Sequence, residues 1–266
     1  MLQINDFTCG YVSKVVLRNI SLKIEDGELV GIIGPNGSGK TTLIRAITRI
    51  LRPQAGEILL TGKDIRHMKI RELARKVSVV SQSAQTGPMT VEEFVLMGRI
   101  PHYERFQFLE SAKDLEIAHE AMILTDSFKL KDRFMVEISG GERQLAYIAR
   151  ALAQKAKLLL LDEPTVHLDI THQVGILDLI RRLNRELGLT VVMVLHDLNL
   201  AGEYCDRLVL IDEGRIYKVG SPEEVIDYRI IEDVYNTVVI VEKNPISSKP
   251  YVLVVSEEER QKARKQ

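Results

Sequence analysis

The sequence predicts an α/β protein: a mostly parallel sheet covered by helices, with an antiparallel β subdomain at the N-terminus and a helical subdomain set into the core. Three patterns carry this. Short apolar runs broken by Gly and by charged turn residues fill the chain through Ile33, as antiparallel strands do. From 81 to about 134 the apolar spacing is helical. From Ser139 onward, strand-like and helix-like runs alternate, which implies parallel strands joined by crossover helices.

In chain order, strands are expected at 2–8, 15–17 and 21–24, separated by Gly10 and by Glu25-Asp26-Gly27. A strand follows at 28–33, apolar after Glu28. After a glycine-rich run, Leu43, Ile44, Ile47, Ile50 and Leu51 fall at helical spacing, until Arg52-Pro53 and Ala55-Gly56 stop the helix. Strands return at 57–60 and, as a short run buried on both faces, at 77–80. Thr90-Val91-Glu92-Glu93 is a capping-box sequence, and 115–124 carries helical spacing. A helix is then expected to about 154, a strand at 158–161, a helix at 171–187, a strand at 190–195, a helix to 204 and a strand at 207–211. Two β-like runs, 238–241 and 251–255, surround Pro245 and Pro250, and 257–266 reads as a solvated end.

The 266 residues, 45% apolar, suffice for one large domain with a subdomain. With 36 basic and 37 acidic residues the net charge is −1, so no global field draws the chain to nucleic acid or anionic lipid. There is no signal-peptide pattern and no apolar run long enough to span a bilayer, so a cytosolic chain is expected unless a partner holds it at a membrane. Cys9 and Cys205, far apart and in no ligand spacing, are expected to be reduced and structural.

The chemistry begins at Gly34-Pro35-Asn36-Gly37-Ser38-Gly39-Lys40-Thr41-Thr42, a G-x-x-x-x-G-K-T run between a strand and a helix. Its glycines let successive N–H groups face phosphate oxygens, and the helix start adds positive potential. Lys40 can reach the β- and γ-phosphates of a nucleoside triphosphate, and the Thr41 hydroxyl can ligate Mg²⁺. Four leucines then deliver Asp162 and Glu163 just past a buried strand, where open α/β sheets bind ligands. Asp162 suits the Mg²⁺ shell, and Glu163 can orient and deprotonate an attacking water. Ser139-Gly140-Gly141-Glu142 is locally a capping box, but two glycines exceed what a cap needs and offer a second anion-binding helix start. One triphosphate already has its cradle at Gly34, so the second start implies a site completed by another copy.

Together these residues resemble the nucleotide-binding subunit of ATP-binding cassette (ABC) transporters, over roughly residues 2–225. The motifs occur in family order: Tyr11, the cradle from Gly34 to Thr42, Gln82, Ser139 to Glu142, Asp162 with Glu163, Leu168-Asp169, and His196. The resemblance implies a P-loop NTPase of ABC type, an ATPase using ATP and Mg²⁺. It implies that Tyr11 stacks on adenine, that Gln82 touches Mg²⁺ or the water, that His196 bonds the γ-phosphate and that Asp169 lies at a contact between two copies. Ile138 stands for the usual Leu, with little expected effect. Val166 stands where Ser or Asn is common, so the polar contact across the pair that the resemblance implies at that position is put in question.

The implied layout is an ATPase domain over 1–236, with its helical subdomain at about 83–155, and a C-terminal extension over 237–266 without an assigned role. Only 99 residues separate Lys40 from Ser139, too few for the coiled coil of chromosome-organising relatives, and the single motif set differs from the double set of translation factors. The segment from Thr90 to His102, with His196-Asp197-Leu198-Asn199, looks like importers of ferric siderophores, haem and cobalamin. The implied partners are a second copy, head to tail around ATP, transmembrane permease subunits and indirectly a substrate-binding protein. No nucleic acid is implied, and the location would be the cytoplasmic face of the membrane. The alternatives are a soluble ABC ATPase, for example in iron–sulfur assembly, and a non-hydrolysing nucleotide-gated scaffold.

Overall fold

A computed structural model describes residues 1–12, 14–81, 87–104, 107, 109–256, 258 and 259. In chain order the elements are β1 (Leu2–Tyr11), β2 (Lys14–Ile24), β3 (Leu29–Ile33), α1 (Lys40–Ile47), β4 (Pro53–Leu60), β5 (Lys63–Asp64), α2 (Ile70–Ala74), β6 (Val77–Val80), α3 (Val91–Leu96), α4 (Ala112–Leu124) and α5 (Gly140–Ala153). There follow β7 (Leu158–Asp162), α6 (Ile170–Leu187), β8 (Thr190–Val194), α7 (Leu198–Tyr204), β9 (Arg207–Asp212), β10 (Arg215–Gly220), α8 (Pro222–Val225), α9 (Tyr228–Tyr235), β11 (Val239–Lys243) and β12 (Pro250–Val254). They fall into two compact units. No helix among the described residues is long and apolar enough to cross a membrane.

One unit comprises Leu2–Ile24, Glu28–Ile58 and Met193–Gln266. Here β1 pairs antiparallel with β2, Leu2 opposite Ile24 and Ile4 opposite Leu22, and the alternation buries Ile4, Phe7, Cys9, Leu17, Ile20 and Leu22 on one face. The two strands expected at 15–17 and 21–24 are one strand. The polar break between them is a bulge, with Asn19 at φ 53° and the register shifting near Phe7, because one extra residue bends a strand without ending it. Strand β3, buried throughout, runs parallel to β9, Val30 opposite Arg207, and β10 returns antiparallel to β9. Helix α1 is shorter than its apolar spacing implies. Thr48 bonds back to Ile44 O and Arg45 O, Arg49 turns to φ 63°, and Ile50 is left 71% exposed. The β11–β12 hairpin is fastened to α7 by Asn199, which donates to Val252 O at 3.2 Å and accepts from Val252 N at 2.7 Å. Cys9 and Cys205 are both buried thiols, and burial pushes Cys9 up to about 11.

The other unit comprises Met1, Glu25–Gly27 and Leu59–Val192. Strand β6 runs parallel to β7, Val77 opposite Leu158 and Val80 opposite Leu161. Helices α3, α4 and α5 pack together as the expected helical subdomain. Thr90 and Glu93 close the capping box at α3, with bonds of 3.2 and 2.7 Å. Phe94 and Tyr147 meet at 5.3 Å between ring centroids, with the Arg150 guanidinium 4.8 Å over Phe94. A buried ion pair, Arg99 to Asp114 at 3.0 Å, fastens the 3-10 turn Met97–His102 to α4. Parallel pairing within both units, the antiparallel β1–β2 pair and the helical packing bear out the predicted fold class.

Candidate nucleotide site

At the end of β3 the chain turns out of the sheet at Gly34, φ 145°, where a Cβ would lie 2.0 Å from Ile211 O. No side chain fits so tight a passage against β9. Gly39, φ 111°, caps α1 without a side-chain hydrogen bond, and the first turn of α1 holds no acid. The positive end of the helix therefore meets no carboxylate of its own first turn. Lys40 is buried at 5% exposure and folds over the loop, donating to Gly34 O and Pro35 O at 2.8 Å each. Ser38 is fixed by its backbone, N to Pro35 O at 3.2 Å and O from Gly214 N at 3.0 Å. Its Oγ is buried and, among the described residues, has no hydrogen-bond partner. A buried hydroxyl without a partner costs on the order of 1–3 kcal/mol. That orphan, beside an uncapped helix start and a lysine, fits a phosphate oxygen. Asn36 and Gly37 are exposed on the loop, Thr41 is half-buried, and Thr42 is buried beneath.

The same unit places two more expected residues. Leu195 N donates to Ile32 O at 3.1 Å, so β8 ends beside β3 and the exposed His196 leaves its strand where Gly34 leaves its own. Tyr11, at the end of β1, accepts a hydrogen bond from Arg45 of α1 at 2.8 Å, with that guanidinium 6.0 Å from the ring centroid. Arg45 was not singled out by the sequence reading, although it lies one turn into the helix that the cradle begins. Nor was Tyr235 of α9. Burial pushes its phenol up to about 12, against the opposing effect of a hydrogen bond with the Gly34 backbone.

The second unit holds the carboxylates and the Ser139 segment. Asp162 ends the fully buried β7 at 7% exposure, and Glu163 follows at φ 55°, a left-handed conformation uncommon for Glu and costing roughly 1 kcal/mol or more. The turn after it is held by Val166 N to Glu163 O at 3.3 Å and by the Gln173 amide on Leu168 O at 3.0 Å. Ser139 and Glu142 form the capping box at α5, with Glu142 N to Ser139 Oγ at 3.2 Å and Ser139 N to Glu142 Oε2 at 2.9 Å. Those bonds hold the Glu142 carboxyl below its usual range. Among the described residues a Cβ built on Gly140 would meet only Leu168, at 3.7 Å, whereas a Cβ on Gly141 would meet the His172 ring at 2.2 Å. Asp169 caps α6, accepting from His172 N at 2.9 Å. Gln82 lies outside the described residues. Among the described residues no group of three or more His, Cys, Asp or Glu side chains forms a metal cage.

The ABC transporter family profile matches residues 17–166, from within β2 to the turn after β7. The chain belongs to the ABC transporter family. An ABC relative, the ferric enterobactin transport ATP-binding protein FepC of Escherichia coli (strain K12), is 40% identical over 247 residues, 92% of this chain and 91% of that protein. A solved ABC structure, a metal-chelate type transporter in an inward-facing conformation, superposes with a TM-score of 0.85 over 97% of this chain and 98% of its own, at 24% identity, a likeness of fold. The dimeric post-hydrolysis state of the ATP-binding cassette MJ0796, bound to ADP and Pi, matches with a TM-score of 0.73 at 29% identity, over 84% of this chain and 99% of its own.

Proposed function

We propose that this chain is the ATP-hydrolysing subunit of an ABC importer for an iron chelate, acting as a head-to-tail pair of copies at the cytoplasmic face of a membrane beneath permease subunits. The observation that carries the reading is the cradle itself: a buried Ser38 hydroxyl, without a partner among the described residues, beside the start of α1, which has no side-chain cap, and the buried Lys40. The name of the 40% identical relative, a ferric enterobactin transport ATP-binding protein, supports both the transport role and the cargo class. Permease and substrate-binding protein would be separate chains, the latter delivering the cargo.

In this reading the N–H groups from Gly34 to Thr42 and the Lys40 ammonium bind the phosphates, and Tyr11 stacks on the base. Thr41 and Asp162, with Gln82, would hold Mg²⁺, which supplies charge compensation to the β- and γ-phosphate oxygens. Glu163 takes a proton from water as the water oxygen bonds to the γ-phosphorus, the bond from that phosphorus to the β–γ bridging oxygen breaks so that ADP leaves with inorganic phosphate, and His196 donates to a γ-phosphate oxygen. Ser139, Gly140, Gly141 and Glu142 of one copy, with Asp169, face the nucleotide of the other, so ATP closes the pair and hydrolysis releases it. The proposed ATPase domain is 1–236 and the extension 237–266. Phosphate-release kinetics test this: Glu163→Gln is expected to bind ATP normally and lose roughly 10²–10⁴-fold in turnover. Unchanged turnover would remove Glu163 from the reaction.

A further inference from the structure

The segments read as facing a second copy, the start of α5 and the loop before α6, are joined by a side chain that the motifs do not include. Asp169 needs one bond to cap α6, and His172 N supplies it at 2.9 Å. Yet His172 also brings Nδ1 to 2.8 Å from each Asp169 oxygen. Both sets of bonds, the backbone bond first, hold the Asp169 carboxyl below its usual range.

The other face of the same ring lies on α5. A Cβ built on Gly141 would be 2.2 Å from His172 Cδ2 and 2.9 Å from both Cγ and Nε2, so the imidazole covers the glycine's Cα. A cavity of about 360 Å³ lies alongside, lined by Gly141, Leu145, Thr171, His172 and Gly175, and the His172 side chain is 51% exposed. Packing on that side does not hold the ring. The Asp169 bonds and the Gly141 contact do.

We propose that His172 is a positioning residue that ties the Asp169 carboxylate to the Gly141 backbone, so that the start of α5 and the loop before α6 meet the second copy's nucleotide as one unit. This rests on the proposed pairing around ATP. It gives Gly141 a reason to be glycine within one copy, and it makes Asp169 act through the imidazole.

The test uses the full chain in the Glu163→Gln background, which separates pairing from turnover. Three variants divide the contacts: His172→Phe keeps a ring on Gly141 but no donor, His172→Asn keeps a donor near Nδ1 but no ring, and His172→Ala keeps neither. The expected result is at least a tenfold rise in the ATP concentration needed for pairing with His172→Ala, and smaller rises with His172→Phe and His172→Asn. Single-copy affinity for a fluorescent ATP analogue should stay within about twofold, because the cradle is untouched, and the melting temperature of the unpaired chain should stay close to the parent's. If the parent pairs with ATP and all three variants pair like it, the positioning role is overturned. The same holds if the loss of pairing follows a fall in melting temperature across the variants. If the parent does not pair, the pairing reading fails, and this inference with it.

Discussion

Ser38 shows how one atom separates binding from stability. Its Oγ is buried and has no partner among the described residues, so the hydroxyl contributes desolvation cost and no hydrogen bond to the nucleotide-free fold. Ser38→Ala is therefore expected to leave stability unchanged or raise it by up to about 1 kcal/mol, while weakening ATP binding. Urea unfolding of the nucleotide-free chain and a nucleotide titration check the two halves, and a destabilised variant would show that the hydroxyl is already satisfied. Lys40→Ala should weaken ATP binding more strongly, since a full charge is lost near three phosphates, and equal affinities would count against the cradle. Residue types and spacing were enough to single out Lys40, Thr41, Asp162 and Glu163 as candidates in the sequence. Arg45, Tyr235 and His172 could not be singled out that way, because each is marked only by a contact set by the fold: Arg45 on Tyr11, Tyr235 on Gly34, His172 on Gly141.

At the scale of elements, the helical subdomain depends on a buried charge. Burial by itself would raise the Asp114 carboxyl, but hydrogen bonds from Ser111 and Arg99 outweigh it and hold the group at about 2. An unfolded Asp titrates near 3.9 (about the model-peptide value). The folded state thus binds fewer protons between these values, so the stabilisation is complete above about pH 4 and is lost as the pH falls toward 2. Asp114→Asn should cost on the order of 2 kcal/mol at neutral pH and flatten the acid limb of the stability curve. Urea midpoints at pH 7, 4 and 3 measure this, and parallel curves for variant and parent would contradict it. Capping sequences made the starts of α3 and α5 readable, because a cap is a local bond between near neighbours. The length of α1 and the unity of β2 were not readable. The first depends on Thr48 and Arg49 turning the backbone, the second on a bulge that only the partner strand reveals. Strand β10 and helices α8 and α9 were also missed, although Ser221-Pro222 and Asp227 mark both helix starts.

For the whole molecule, the order of motifs along the chain carried the resemblance to the family that the profile match then showed. The C-terminal hairpin had no such constraint, and its seat on α7 through Asn199 appears only in the folded chain. Asn199→Ala should loosen the 239–254 hairpin, raising amide exchange there with little change in β3 or β9. The central claim is that two copies close around ATP, and the most direct measurement is the solution mass of the full Glu163→Gln chain with and without Mg-ATP. Doubling of the mass with ATP, and reversal with ADP, is the predicted result. A single-copy mass at saturating ATP would contradict the account.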